Sequence, residues 1–104
     1  MDFNTFRDLF IPYCETTNVS SGKAGSYYRA IKYLADYLDL PNLGYGNAYR
    51  ILEKEEDISN KNSIFYRQLL RQWERDGHSS YLKNGFVQAA MPLFGRFAAD
   101  NNLL

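Results

Sequence analysis

The sequence has very little of the chemistry that metal sites and nucleophilic catalysis require. Its 104 residues include one cysteine and one histidine, whereas a zinc site needs several such ligands at fixed spacing. His78 is the only histidine that could activate a nucleophile, and it lies in the turn-like segment GHSS. We therefore expect a protein that is not an enzyme and that uses neither a cofactor nor a metal.

Long apolar runs and a secretory signal are also missing. The longest uncharged apolar run is far too short to span a bilayer. The first residues, MDFNTFRDLF, contain no basic segment followed by an apolar stretch. Cys14 has no second cysteine with which to form an internal disulfide, which is typical of proteins from reducing compartments. We therefore expect a cytoplasmic protein with no membrane partner.

The net charge is zero, and this argues against a protein whose whole surface is covered by nucleic acid. The charges are nevertheless unevenly distributed. Residues 21–35 contain three bases and no acid, residues 36–60 contain six acids and two bases, and residues 61–75 contain four bases and one acid. Because two basic blocks flank an acidic one, a local basic face is compatible with a neutral molecule.

Aromatic residues, in contrast, are abundant, with nine tyrosines and seven phenylalanines. Together with other apolar residues they recur at steps of three and four, the spacing of amphipathic helices. The spacing predicts five helices, near residues 3–14, 22–38, 47–56, 62–76 and 80–99. We expect one all-α domain over residues 1–104, an orthogonal bundle of about five helices in which helices two, four and five form the core.

Capping and helix-breaking residues predict where these helices begin and end. Pro12 should kink or end the first helix, and Pro92 should kink the fifth, because proline cannot donate the helical hydrogen bond. Gly77 is suited to the position just after the fourth helix. Side-chain oxygens can cap the first, second and fifth helices, and the candidates are Asp2 or Asn4, Ser20 or Ser21, and Ser79 or Ser80.

Three arginines share one face of the fourth predicted helix. Arg67, Arg71 and Arg75 are four residues apart, so they stack along the helix, and arginine can hold a phosphate group with two hydrogen bonds. Two interpretations are open. The arginines belong to a nucleic-acid-binding surface, or they form a solvated face on which Arg71 and Arg75 pair with Glu74 or Asp76.

The second predicted helix offers further bases that can extend such a surface. Lys23 lies in its first turn, and Arg29, Lys32 and Tyr33 line its outer side. Helix N-termini also present free backbone N–H groups to phosphates. Two such termini are marked by serines, namely Ser20 and Ser21, and Ser79 and Ser80.

Two segments resemble a known class of helical domain. They are SSGKAGSYYRAIKYLADYL and, some forty residues later, GHSSYLKNGFVQAAMPLFGRFA. This pattern resembles the N-terminal helical domain of certain HNH-type restriction endonucleases. It is also similar to the SAM-like core-binding domain of tyrosine recombinases and phage integrases. The shared positions are Phe6 to Phe10, the run from Ser26 to Leu34, and the final helix from Ser79 to Phe97.

The resemblance implies a SAM-like, DNA-contacting module whose basic helix faces touch the duplex. Neither the Arg/His/Tyr set of the recombinases nor the metal site of the HNH enzymes is present, so only the accessory domain corresponds. The positions that would contact nucleic acid are Lys23, Arg29, Lys32, Arg67, Arg71, Arg75 and Lys83.

Two functions follow as hypotheses. The first is a noncatalytic, phosphate-contacting DNA-binding accessory domain of a nuclease- or integrase-like system, with DNA and a fused or associated catalytic domain as partners. The alternative is a protein–protein interaction or homodimerisation module that does not bind nucleic acid. In the alternative, exposed aromatic residues form the interface, and Tyr33, Tyr37 and Tyr45 are candidates either for this role or for stacking on a base.

Overall fold

Helices make up all the regular structure of the protein in a computed structural model that describes residues 1–104. No residue lies in a β-strand, and the expected all-α bundle is confirmed. The chain forms seven helices: α1 (Phe3–Glu15), α2 (Ser21–Tyr37), α3 (Asn47–Leu52), α4 (Glu55–Ile58), α5 (Ile64–Asp76), α6 (Ser80–Lys83) and α7 (Phe86–Asp100).

Side-chain caps begin α1, α2 and α5, and α5 corresponds to the predicted fourth helix, for which no cap was predicted. Asp2 Oδ1 accepts a hydrogen bond from the backbone N–H of Thr5 at 2.7 Å, and this bond lowers the pKa of Asp2 because it favours the charged carboxylate. Ser20 caps α2, and Ser63 caps α5 by accepting from the N–H of Tyr66 at 3.0 Å. At the end of α5, Gly77 takes the left-handed conformation expected of it, with φ 79°.

A cluster of phenylalanine rings joins α1 to α7. Phe6 and Phe10 stack on each other with ring centroids 4.8 Å apart, and both rings meet Phe97 edge-on at 5.5 and 5.4 Å. Phe6 also meets Phe94 at 5.7 Å. Edge-to-face pairs of this kind add stabilisation to that of the buried area. Helix α2 packs against both α1 and α7, so these three helices form the centre of the bundle. The expectation that the fourth predicted helix, now α5, shares this centre is wrong, because α5 packs mainly on α4.

Both prolines lie inside helices that continue beyond them. Helix α1 extends to Glu15, one residue past its expected end and three past Pro12, and α7 runs through Pro92 to Asp100. Both prolines are exposed. Each proline ring therefore lies on the solvent side of its helix, where water can satisfy the carbonyl that loses its helical donor.

The predicted third and fifth helices are each divided in two. The third breaks between Leu52 and Glu55, so one continuous helix over 47–56 is wrong. Glu55, Glu56 and Asp57 lie in the first turn of α4, where negative charge is favourable, whereas Glu53 lies at the C-cap of α3. The fifth breaks at Gly85, whose φ of 79° separates α6 from α7.

The break at Gly85 leads to a stability prediction. An added Cβ at Gly85 would meet no atom within 4 Å, so Gly85→Ala should destabilise the protein only through its positive φ, by about 1 kcal/mol. Gly95, which lies inside α7, is the matched control. A Cβ added there would make an ordinary 3.5 Å contact with the side chain of Leu52. Gly95→Ala should therefore stabilise the protein by about 0.5–1 kcal/mol. Thermal unfolding followed by circular dichroism should show melting temperatures that shift in opposite directions, and shifts of the same sign would contradict the helix break.

Candidate nucleic-acid interface

The arginines of α5 lie on its solvent side because the apolar residues of the same helix face the core. Tyr66, Leu69 and Trp73 are the buried residues of α5. The predicted site residues of this helix, Arg67, Arg71 and Arg75, are all exposed. Four residues of helix rise about 6 Å, so the three guanidinium-bearing positions form a row along one face. We call this set the α5 arginine row.

No carboxylate is paired with the α5 arginine row. The ion pairs of the protein are Arg7–Asp8, Lys32–Asp36 and Lys83–Glu74, so Arg71 and Arg75 pair with neither Glu74 nor Asp76. Arg75 is linked to Asp76 only through the side chain of Gln72. Arg75 donates to Gln72 Oε1 at 2.7 Å, and the amide of Gln72 donates to Asp76 at 3.0 Å. The row therefore keeps its full positive charge on the surface.

Two of the predicted lysines are close to acids. Lys83, at the end of α6, has its Nζ 3.9 Å from Glu74 Oε2 on α5, and this places Lys83 beside the helix that carries the arginine row. Lys32 forms a hydrogen-bonded ion pair with Asp36 one turn along α2, and its Nζ lies 4.5 Å from the ring centroid of Phe3. Lys32 is thus directed toward α1, and its charge is offset.

The remaining two predicted bases lie on the first half of α2. Lys23 is exposed and has no ion-pair partner. Arg29 donates from Nε to the hydroxyl of Tyr81 at 2.8 Å and from Nη2 to Ser26 at 3.2 Å, so part of its donor set is already occupied. These two residues share no hydrogen-bond partner with the α5 arginine row. The three arginines therefore lie in one row with Lys83 beside their helix, and no hydrogen bond or ion pair links the bases of α2 to them.

The expected anion sites at helix N-termini are not formed as predicted. Ser80 is the first residue of α6, which has four residues and is not a long helix, and Ser79, which precedes it, makes no capping hydrogen bond. At the start of α2, Ser21 donates to the carboxylate of Glu15 at 3.1 Å, so a negative group already lies at this terminus. A phosphate there would be repelled by Glu15.

A pocket of about 360 Å³ lies between α2 and the last turn of α5. Tyr33, expected on the outer side of α2, is instead half-buried here, and its ring stacks on that of His78 with centroids 3.6 Å apart. The residues that line the pocket are Tyr33, Asp36, Tyr37, Gln72, Trp73, Asp76 and His78. We call this the α2–α5 pocket. Sequence reasoning missed it, although residues 33, 36 and 37 are spaced to share a face of α2.

Tyr45 and Tyr49 provide a second exposed surface of a different kind. Tyr45 is fully exposed at the turn before α3, and Tyr49 is 55% exposed on α3 itself. Of the three tyrosines considered for stacking on a base or joining an interface, only Tyr45 is exposed, because Tyr33 and Tyr37 are half-buried. The aromatic surface available to a partner is therefore centred on α3.

No family model matches the chain, and neither the curated proteins nor the solved structures include a match to it. The resemblance to restriction-endonuclease and integrase domains therefore stays a prediction. No group of three or more His, Cys, Asp or Glu residues is placed to hold a metal ion. None of the helices has the length and apolar character needed to cross a bilayer.

The buried thiol of Cys14 gives a prediction about reactivity. Burial in α1 raises the pKa of Cys14 to about 11, with a smaller contribution from the charge of Glu15. The thiol is therefore almost entirely protonated at neutral and mildly alkaline pH, and the thiolate is the reactive form. At mildly alkaline pH, iodoacetamide should label the native protein at least roughly tenfold more slowly than the urea-unfolded chain, because the raised pKa lowers the thiolate fraction of the native protein. Equal rates, measured by mass spectrometry, would contradict this burial.

Proposed function

We propose that the protein is a noncatalytic DNA-binding module that contacts the phosphate backbone through the α5 arginine row. The observation that supports this most strongly is the absence of any carboxylate partner for Arg67, Arg71 and Arg75. Exposed arginines without a carboxylate partner in the protein can each donate two hydrogen bonds to a phosphate group. The predicted contacts at Lys23, Arg29, Lys32 and Lys83 remain part of this proposal as secondary positions.

Binding through such a row gives affinity with little reading of sequence. Phosphate contacts position a protein on the duplex without carrying sequence information, and the protein has no net charge to attract DNA over long distances. We therefore expect an affinity in the range of non-specific binding, about 10⁻⁴ to 10⁻⁶ M at physiological salt.

The test is fluorescence anisotropy of a labelled DNA duplex, titrated with protein at several salt concentrations. The triple variant Arg67→Ala, Arg71→Ala, Arg75→Ala should bind roughly tenfold or more weakly at low salt. The slope of the logarithm of affinity against the logarithm of salt concentration should also fall, by roughly 0.9 for each lost phosphate contact, or about 2.7 in all.

A matched control variant distinguishes the effect of losing the α5 arginine row from the effect of losing three positive charges anywhere on the protein. The triple variant Arg7→Ala, Arg50→Ala, Arg96→Ala removes three exposed arginines from α1, α3 and α7 and changes the net charge by the same amount. It should keep the wild-type salt slope within about one unit. Equal losses in both triple variants, or no binding by the wild-type protein, would overturn the proposal.

Exposed aromatic residues favour the alternative of a protein–protein interaction or homodimerisation module. Tyr45 and Tyr49 are the relevant observation, since tyrosine is enriched among residues that dominate binding energy at interfaces. Under this alternative, analytical ultracentrifugation would show concentration-dependent association that changes little with salt, and Tyr45→Ser with Tyr49→Ser would abolish it. Salt-sensitive DNA binding by a monomer would instead support the arginine row.

A further inference from the structure

We propose that the α2–α5 pocket binds an organic cation, an alkylated ammonium or a guanidinium group. This inference is independent of DNA binding and concerns a different face of α5, because Gln72, Trp73 and Asp76 line the pocket whereas the arginine row does not. Three aromatic side chains line the space, namely Tyr33, Tyr37 and Trp73. His78 covers one face of Tyr33 and Trp73 is 1% exposed, so the rings that can attract a cation through the ring quadrupole are Tyr37 and the other face of Tyr33.

The two carboxylate residues that line the pocket are both negatively charged. Asp36 and Asp76 line the pocket, and no lysine or arginine does. Each carboxylate uses only its Oδ1 within the protein, for Lys32 and Gln72 respectively. Their Oδ2 atoms have no hydrogen-bond partner in the chain, and an ionised carboxylate can accept several bonds. Asp36 is already ion-paired with Lys32, so Asp76 carries the unpaired negative charge of the lining. A phosphate or carboxylate ligand would face that charge, so the lining favours a cation.

Trp73 adds a hydrogen-bond donor without a partner in the chain to the wall of the pocket. The residue is 1% exposed, and its indole N–H has no acceptor in the chain. Gln88 Oε1 is the one fully buried side-chain nitrogen or oxygen atom without a partner, so the Trp73 N–H must retain a small opening to solvent. Trp73 is one of the residues that line the pocket, so this N–H is available to a ligand that reaches it from that side.

The size of the pocket limits the ligand to one small group. About 360 Å³ is near the lower end of the range for small-molecule sites. Two sources can supply a cation of this size, a free quaternary ammonium compound or an arginine side chain of another protein. Choline is the probe for the first source, and N-acetyl-arginine amide is the probe for the second.

The only tryptophan of the chain lines the pocket, so tryptophan fluorescence can report binding there. Selective excitation of the indole should show a saturable change in emission as choline or N-acetyl-arginine amide is added at constant ionic strength. The control ligand is 3,3-dimethylbutanol, a neutral molecule of the shape of choline, and it should bind at least about fivefold more weakly. Whichever cation gives saturable binding identifies the source.

Two double variants test the electrostatic part of the proposal. Asp36→Asn with Asp76→Asn keeps the acceptor oxygens for Lys32 and Gln72 but removes both charges, and it should lower the affinity for the cation about tenfold, about threefold for each exposed carboxylate. Glu55→Gln with Glu56→Gln removes the same charge from exposed residues of α4 outside the pocket, and it should leave the affinity within about twofold.

Three results would overturn the proposal. They are the absence of a saturable response to either cation, equal affinity for the neutral alcohol, and equal losses in the two double variants. None of these outcomes depends on DNA, and the DNA titration does not depend on the pocket, so failure of one proposal is distinguishable from failure of the other.

Discussion

The burial of α7 is the constraint on which the rest of the structure depends. Seven of its fifteen residues are buried, and α1, α2, α3, α4 and α6 all pack against it. Phe94 and Phe97 meet the rings of Phe6 and Phe10 at its centre. Helix α5 lies outside this arrangement and packs mainly on α4. Because α5 contributes only one face to the core, its remaining surface is available for binding.

The residues of α5 separate opposite charges over a short distance. Arg75 belongs to the arginine row, Asp76 lines the α2–α5 pocket, and Gln72 lies between them, accepting from the first and donating to the second. The amide of Gln72 lets the guanidinium group and the carboxylate point in different directions without forming an ion pair. One helix can therefore present a cationic surface for phosphate and an anionic lining for a cation.

The local features of the sequence predicted α1, α2 and α5 to within about two residues. Their apolar stripes and their caps, Asp2 and Ser20 among them, are encoded by neighbouring residues. The break between α6 and α7 was missed because Gly85 can also occupy a helix interior, and only its positive φ shows which role it has. The exposure of the arginine row followed from a spacing of four on an amphipathic helix.

The pocket and the pairing of individual charges could not be predicted in the same way. The α2–α5 pocket depends on how Tyr33 and Tyr37 are placed against Trp73, which is about forty residues away in the chain. Lys32 was expected on a free surface, yet its ammonium group lies over the ring of Phe3. Contacts of this kind are tertiary, and the periodicity of a single helix carries no information about them.

The most direct test of the central claim is an NMR titration of the isotope-labelled protein with a short DNA duplex, observing the backbone amides and the arginine Nε–H groups. The account predicts that the largest shifts occur at Arg67, Arg71 and Arg75 and that they diminish as salt is added. Shifts confined to other helices, or resonances unchanged at saturating duplex in low salt, would contradict it.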